Sequence, residues 1–271
     1  MHDIGDIVVV SNLEDPLAKE EDSLLSRALE AYSLTQVADL SDIHASALSH
    51  NTAYLFRNIW GREETNQQLK ATYEALKEKG IRYLNSFDGK GDQERLYGTG
   101  KRYLIRLFED GYPVIPTFRS LDSALQYPAE RYLLKPILGI SAKGIRQVTK
   151  KELETEVDDP NFIIQPYLDF TSELSFFFIN SEFQYALQTK SHRWDLEVYQ
   201  PSKSELESAE RFISWNPISG IQRIDFLRTY DNQMLLLEVE DWCPYLSLFD
   251  CENLPRRHFI STLVKAIKNL R

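Results

Sequence analysis

Apolar positions change period several times along this chain, and each change marks an element. Residues 7–12 read IVVVSN, an unbroken apolar run with a polar exit, which predicts a buried strand. EEDSLLSRALEAYSL follows with apolar residues at helical spacing, so the chain opens as strand then helix, suited to an α/β layer. The stretch from Tyr54 to Trp60 is apolar and aromatic. GREETNQQLKATYEALKEKG then predicts a helix with Leu69, Tyr73 and Leu76 near one stripe and Gly80 at its stop. IRYLNS restarts extended structure, and DGKGDQERLYGTG breaks the order with glycines. KRYLIRLFEDGYPVIPT predicts a helix, a glycine stop and a strand, with Pro113 and Pro116 favouring an extended edge because each lacks a backbone donor.

Beyond this the apolar runs shorten and pair. YLLKPILGISAKGI predicts a strand from Tyr132 to Leu134, a small turn, and another strand. Thr149 and Glu152 have capping-box spacing ahead of KKELETEV, and NFIIQPYL returns as an extended segment whose Pro166 suits a strand exit. ELSFFFIN and SEFQYALQTKS predict a hairpin around Asn180 and Ser181, with Phe176, Phe177 and Phe178 in a strand packed on both sides. Ser202 and Glu205 repeat the capping box before SKSELESAERFISW continues as a helix. IQRIDFLRTYDNQMLLLEVE predicts a strand pair across Asp231-Asn232, and LPRRHFISTLVKAIKNLR a final helix. The expected fold class is α/β in a first unit, residues 1–100, then α+β through a middle unit, 101–168, and a last unit, 169–271.

Composition narrows the function classes. With 42% hydrophobic and 27% charged residues among 271, the chain is neither disordered nor membrane-like, and no run approaches the ~20 apolar residues of a membrane span. Its start lacks the basic region and cleavage site of an export signal, so a cytoplasmic location is expected. Forty-one acidic against 31 basic residues, a formal charge of -10, argue against a broad nucleic-acid surface and for small-molecule or protein partners. Cys243 and Cys251 form neither a disulfide scaffold nor a zinc spacing. The aromatic N-terminal unit offers a face for a homodimer or higher homo-oligomer, and the oligomeric state stays open.

The candidate chemistry is concentrated near the C-terminus. Glu238 and Glu240 leave the same face of the LLLEVE strand, and Asp225 lies on a neighbouring strand, a carboxylate set suited to Mg²⁺ with a polyphosphate. The alternative is two solvent-facing glutamates at a strand end. Lys135, Ser141, Lys143 and Gly144 lie in or beside a turn whose backbone N–H groups and charges could close over phosphate, or which is an ordinary hairpin with solvated lysines. It lacks P-loop spacing. Pro166 and its neighbours could recognise an adenine edge or simply cross between units, and Tyr167 could cover an apolar base. Arg223 could aim its guanidinium into the same cleft; Lys190, His192 and Arg193 could form a second basic group for phosphate or substrate or be an exposed turn, and Arg57 with Arg62 could meet an acidic substrate or stay on the surface. Cys243 has no activating partner in local sequence, and no histidine has a recognisable ligand partner.

Taken in order, IRYLNS, GYPVIPT, YLLKPILGISAKGI, FIIQPYLDFTSELSFFFINSEFQYALQTKS, RIDFL and LLLEVEDWCPYLSLF resemble an ATP-grasp protein. The resemblance is to the small amino-acid and peptide ligases: glutathione synthetase-like, ribosomal-protein S6 modification-like and cycloserine-pathway enzymes. It implies a pre-ATP-grasp domain followed by two lobes that hold nucleotide between them. Under it, Lys135 matches the phosphate-contacting lysine of the KP motif, and the Gly139–Gly144 turn matches a mobile phosphate-covering loop. Gln165, Pro166, Tyr167 and Leu168 match the adenine-facing segment, and Glu173 the carboxylate that receives ribose hydroxyls. Lys101 looks like the earlier nucleotide-side lysine. Asp225, Glu238 and Glu240 look like the metal carboxylates, with Glu240 standing where the family commonly has Asn. The implied cofactors are ATP and Mg²⁺, with Mn²⁺ as an alternative ion, and the implied partners a small-molecule carboxylate and an amine-type acceptor. Arg223, Arg193 and Lys190 are the residues expected to act on substrate or transferring phosphate. An ATP-grasp phosphotransferase and a non-catalytic nucleotide-binding or assembly protein remain the alternatives.

Overall fold

The first apolar run becomes β1 (Asp6–Ser11), buried from Ile7 onward. Asp15 caps α1 (Pro16–Leu29) by accepting the Leu17 and Ala18 N–H groups, with proline at the helix start where no donor is needed. β2 (Thr35–Asp39), β3 (Thr52–Phe56), α2 (Glu63–Lys79) and β4 (Tyr83–Leu84) complete a four-stranded parallel sheet in the order β2-β1-β3-β4. The computed structural model describes residues 5–59, 63–140, 142–189, 195–242 and 244–270.

After α3 (Tyr103–Glu109) the chain turns at Gly111, whose φ of 75° lies in the left-handed region. The proline-bearing segment that follows is extended, as its sequence predicts, but it is no free edge. Val114 bridges Leu236 and Phe118 bridges Ile164, so the segment ties two sheets together. One is three-stranded, with β5 (Arg131–Pro136) between β6 (Arg146–Thr149) and β7 (Phe162–Pro166), all antiparallel and covered by the short α4 (Leu121–Leu125). The Thr149–Glu152 capping box forms, yet α5 runs only from Lys150 to Leu153.

The other sheet is antiparallel and five-stranded. The Asn180 hairpin joins β8 (Phe170–Ile179) to β9 (Glu182–Thr189); β10 (Leu196–Tyr199), α6 (Lys203–Trp215), β11 (Ile221–Thr229) and β12 (Met234–Glu240) follow, and the strand order is β10-β9-β8-β11-β12. Alternation along β8 gives the sheet two buried faces. Leu174, Phe176 and Phe178 pack with α3 and α6 residues, whereas Phe177 and Ile179 pack with α7 (Arg256–Lys268). Phe259, Leu263 and Ile267 of α7 share one core with Ile7, Val9 and Leu25, so the parallel sheet and the five-stranded sheet are held by the same apolar cluster. Among the described residues no helix is long and apolar enough to cross a membrane.

Candidate active site

Strands β11 and β12 place the expected charges opposite one another. Arg223 pairs in register with Glu240 and Asp225 with Glu238, while Ile224 and Val239 between them are buried on the other face. Arg223 forks onto Asp225, with Nε 2.9 Å from Oδ1 and Nη2 2.9 Å from Oδ2. Its Nη2 also lies 2.8 Å from Glu240, and Nη1 donates to the Tyr245 carbonyl at 3.0 Å. Ser175 on β8 donates to Asp225 at 2.7 Å. Burial pushes the Glu240 carboxyl above its ordinary range, against the pull of Arg223.

A further carboxylate, which local sequence spacing does not single out, completes the cluster. Asp92, in the glycine-rich segment before α3, brings an oxygen together with one each from Glu238 and Glu240, all within 4.8 Å of one another. Asp225 stands beside this trio as the partner of Arg223 and Ser175. Arg95 lies 2.5 Å from Asp92 and 3.1 Å from Glu238; Lys101 pairs with Glu238 and lies 3.8 Å from Asp92. Oxygen donors converging in this way fit a hard divalent cation.

Lys101 reaches the cluster because Gly100 lets the backbone press against the end of β5. A Cβ there would lie 2.1 Å from the Ile137 carbonyl oxygen, which accepts the Lys101 N–H at 2.9 Å. Lys135, on β5, is buried beside it. Burial, then the charge of Lys101, pushes the Lys135 ammonium down to about 8. Burial also lowers Lys101, although Asp92 opposes the shift. The turn after β5 carries Gly139, Ile140, Ala142 and Lys143 to the same cavity. Gly144 turns the chain beside the Pro136 ring and is not itself part of the lining.

Gln165, Pro166, Tyr167 and Leu168 follow along β7 and its exit, and Glu173 projects from β8; all line the cavity, which measures about 610 Å³. Gln165 is fully buried and donates to Thr117 at 2.9 Å, while its Oε1 has no hydrogen-bond partner among the described residues. Arg131 stacks on Tyr167, 4.1 Å from the ring centroid. Leu17, Ile59, Trp242 and Tyr245 line the part of the wall contributed by the parallel-sheet unit and the loop after β12.

Ser141, Lys190, His192, Arg193, Arg62 and Cys243 lie outside the described residues. Arg57 is not among the residues lining the cavity. It is completely buried, with Nη2 2.7 Å from Glu21, Nε 3.3 Å from Asp22 and Nη1 donating to the Pro244 carbonyl at 2.7 Å.

No family model matches the sequence, and no curated protein matches it either. Solved structures do. The chain is similar to the D-cycloserine synthetase DcsG, with 18% identity and a TM-score of 0.72 over 97% of this chain and 100% of that one. It is also similar to the ATP-grasp ligase PsnB complexed with a phosphomimetic variant of its minimal precursor, Mg and ADP, with 15% identity and a TM-score of 0.69 over 96% and 98% of the two chains. The macrocyclase MdnB from Microcystis aeruginosa MRC superposes with a TM-score of 0.68 at 14% identity, over 96% of this chain and 99% of that one. At these identities the likeness establishes the fold: this chain is a mixed α/β and α+β protein of ATP-grasp architecture.

Proposed function

We propose that this protein is a Mg-ATP-dependent ligase that joins a carboxylate to an amine through an acylphosphate, acting on a small amino acid, a peptide or a related substrate. The observation that carries the reading is one cavity in which two buried lysines and a convergent carboxylate trio meet. Asp92, Glu238 and Glu240, with Asp225 alongside, would hold Mg²⁺ or Mn²⁺, which when bound neutralises phosphate charge. Lys101 and Lys135 take the phosphates, helped by Lys143 and the backbone of the Gly139–Gly144 turn. Gln165 and the Pro166–Leu168 backbone take the adenine edge, Tyr167 covers the base, and Glu173 takes the ribose. The same proposal divides the chain at 1–100, 101–168 and 169–271, each division containing one of the three sheets.

In the reaction a substrate carboxylate oxygen bonds to the γ-phosphorus and the bond to ADP breaks. The amine then bonds to the acyl carbon, phosphate leaves with that oxygen, and the amine loses a proton. No protein nucleophile is required, so the chain's contribution is orientation and charge. Arg223 presents Asp225 and Glu240 and lines the substrate side of the cavity. The similarity to the ATP-grasp ligase PsnB and to the synthetase DcsG supports this reading.

Mass-resolved ATP turnover with Mg²⁺ and a metabolite extract, parent against Glu238→Gln, tests it. ADP, phosphate and a condensed product that all depend on Glu238 are expected. A phosphorylated compound without condensation would favour a phosphotransferase, and no turnover by a folded parent would favour a binding role or show that the extract lacks the acceptor.

A further inference from the structure

The turn that delivers Asp92 is fastened to the metal-side strand by one buried side chain that the reaction itself does not use. Asp241 follows Glu240 directly, and its carboxylate is completely buried. Oδ2 accepts the Gly91 N–H at 2.9 Å and Oδ1 accepts the Gln93 N–H at 2.8 Å, so the N–H groups of the residues on either side of Asp92 both end on Asp241. Asn216 also donates to Oδ2 at 2.8 Å, while its own Oδ1 takes the Lys90 N–H at 2.8 Å. Gln93 bonds the Asp241 carbonyl at 3.1 Å through Nε2 and the Gly89 N–H at 2.6 Å through Oε1.

Close approach is built into the turn. A Cβ at Gly91 would lie 2.6 Å from the Val239 carbonyl oxygen, and one at Gly89 would lie 2.2 Å from Asp241 Oδ2. On the other side Tyr103 accepts the Val239 N–H, between Glu238 and Glu240, at 2.8 Å and reaches Asp92 Oδ1 at 3.4 Å. A carboxylate is the group this arrangement needs. It accepts on both oxygens, whereas an asparagine amide would turn N–H groups towards one of the two flanking donors.

We infer that Asp241 is a positioning residue for the metal site: by gripping the Gly91 and Gln93 N–H groups it sets Asp92 against Glu238 and Glu240. The inference rests on the Mg-nucleotide reading above. Such supporting contacts typically change metal affinity by 10–100-fold.

The test measures Mn²⁺ binding at saturating ADP, from the electron paramagnetic resonance of free Mn²⁺, in the parent, Asp92→Asn, Asp241→Asn and Gly91→Ala. Each variant should bind Mn²⁺ at least about tenfold more weakly, while metal-free ADP binding holds. Asp241→Asn added to Asp92→Asn should cost nothing further, because it acts through Asp92. Parent-like Mn²⁺ affinity in Asp241→Asn, or an additive loss in the double variant, would make Asp241 merely structural and overturn the inference. Should Asp241→Asn fail to fold, Gly91→Ala, which pushes the same turn off the strand, decides by the same readings. A parent that binds no Mn²⁺ beyond that held by ADP would remove the ligase reading as well. Parent binding that Asp92→Asn leaves intact would remove this inference alone.

Discussion

Replacing Arg57 with Met separates a structural arginine from a substrate-binding one. The guanidinium is completely buried, and its bonds to Glu21, Asp22 and the Pro244 carbonyl lie between 2.7 and 3.3 Å. Met keeps the length of the side chain but leaves two buried carboxyls without their cation, a loss of about 3–5 kcal/mol. In a chain of this size that lowers Tm by about 6–10 °C. The loss should depend on pH in a defined direction. Burial raises Glu21 to about 7, with Arg57 opposing, and raises Asp22 as well. The folded state therefore holds more protons than the unfolded state between about 4.5 and 7, and stability falls as pH rises through that window. Without Arg57 both carboxyls move higher and the window extends upward, so the defect is larger at pH 8 than at pH 5.5. Thermal unfolding at the two values measures it. A parent-like Tm at pH 8 together with a raised KM for an acidic substrate would refute the reasoning and return Arg57 to the substrate site.

Three other perturbations probe the cavity. Nucleotide binding should weaken as pH rises past about 8, approaching tenfold per unit, because Lys135 must then take up a proton to meet phosphate. Calorimetric titration should show this slope in the parent and lose it in Lys135→Arg; a flat parent profile to pH 9.5 would contradict it. Arg223→Lys, in protein that remains folded, should lower turnover by about ten- to a hundredfold, since an ammonium cannot reproduce the fork onto Asp225 together with the bonds to Glu240 and Tyr245; unchanged turnover would count against its role. Tyr103→Phe leaves the buried Val239 N–H without its acceptor, and thermal unfolding should report a loss of about 1–3 kcal/mol.

Elements whose determinants are local were legible in the sequence. The Asn180 and Asn232 turns, the two capping boxes and the Gly111 stop each depend on a few adjacent residues, and each forms. The Phe176–Phe178 run shows why a continuous apolar strand signals burial on both faces, since its rings divide between two cores. Asp92 escaped because the carboxylates it joins are far from it in sequence: it meets Glu238 and Glu240 through hydrogen bonds joining residues 91 and 93 to Asp241. Gly89 and Gly91 were the only local trace, and they read as chain breakers until Val239 and Asp241 appear against them. Arg57 failed in the opposite direction. An isolated arginine in sequence carries no sign of the buried acids that α1 places beside it.

The most direct test of the ligase account follows oxygen. Once a carboxylate substrate is identified by the turnover screen, it is supplied with its carboxylate labelled with ¹⁸O, and the phosphate released during condensation is weighed by mass spectrometry. Transfer of one ¹⁸O into phosphate, absent in Glu238→Gln, is the predicted result. Condensation that leaves phosphate unlabelled would contradict an acylphosphate and with it the central claim.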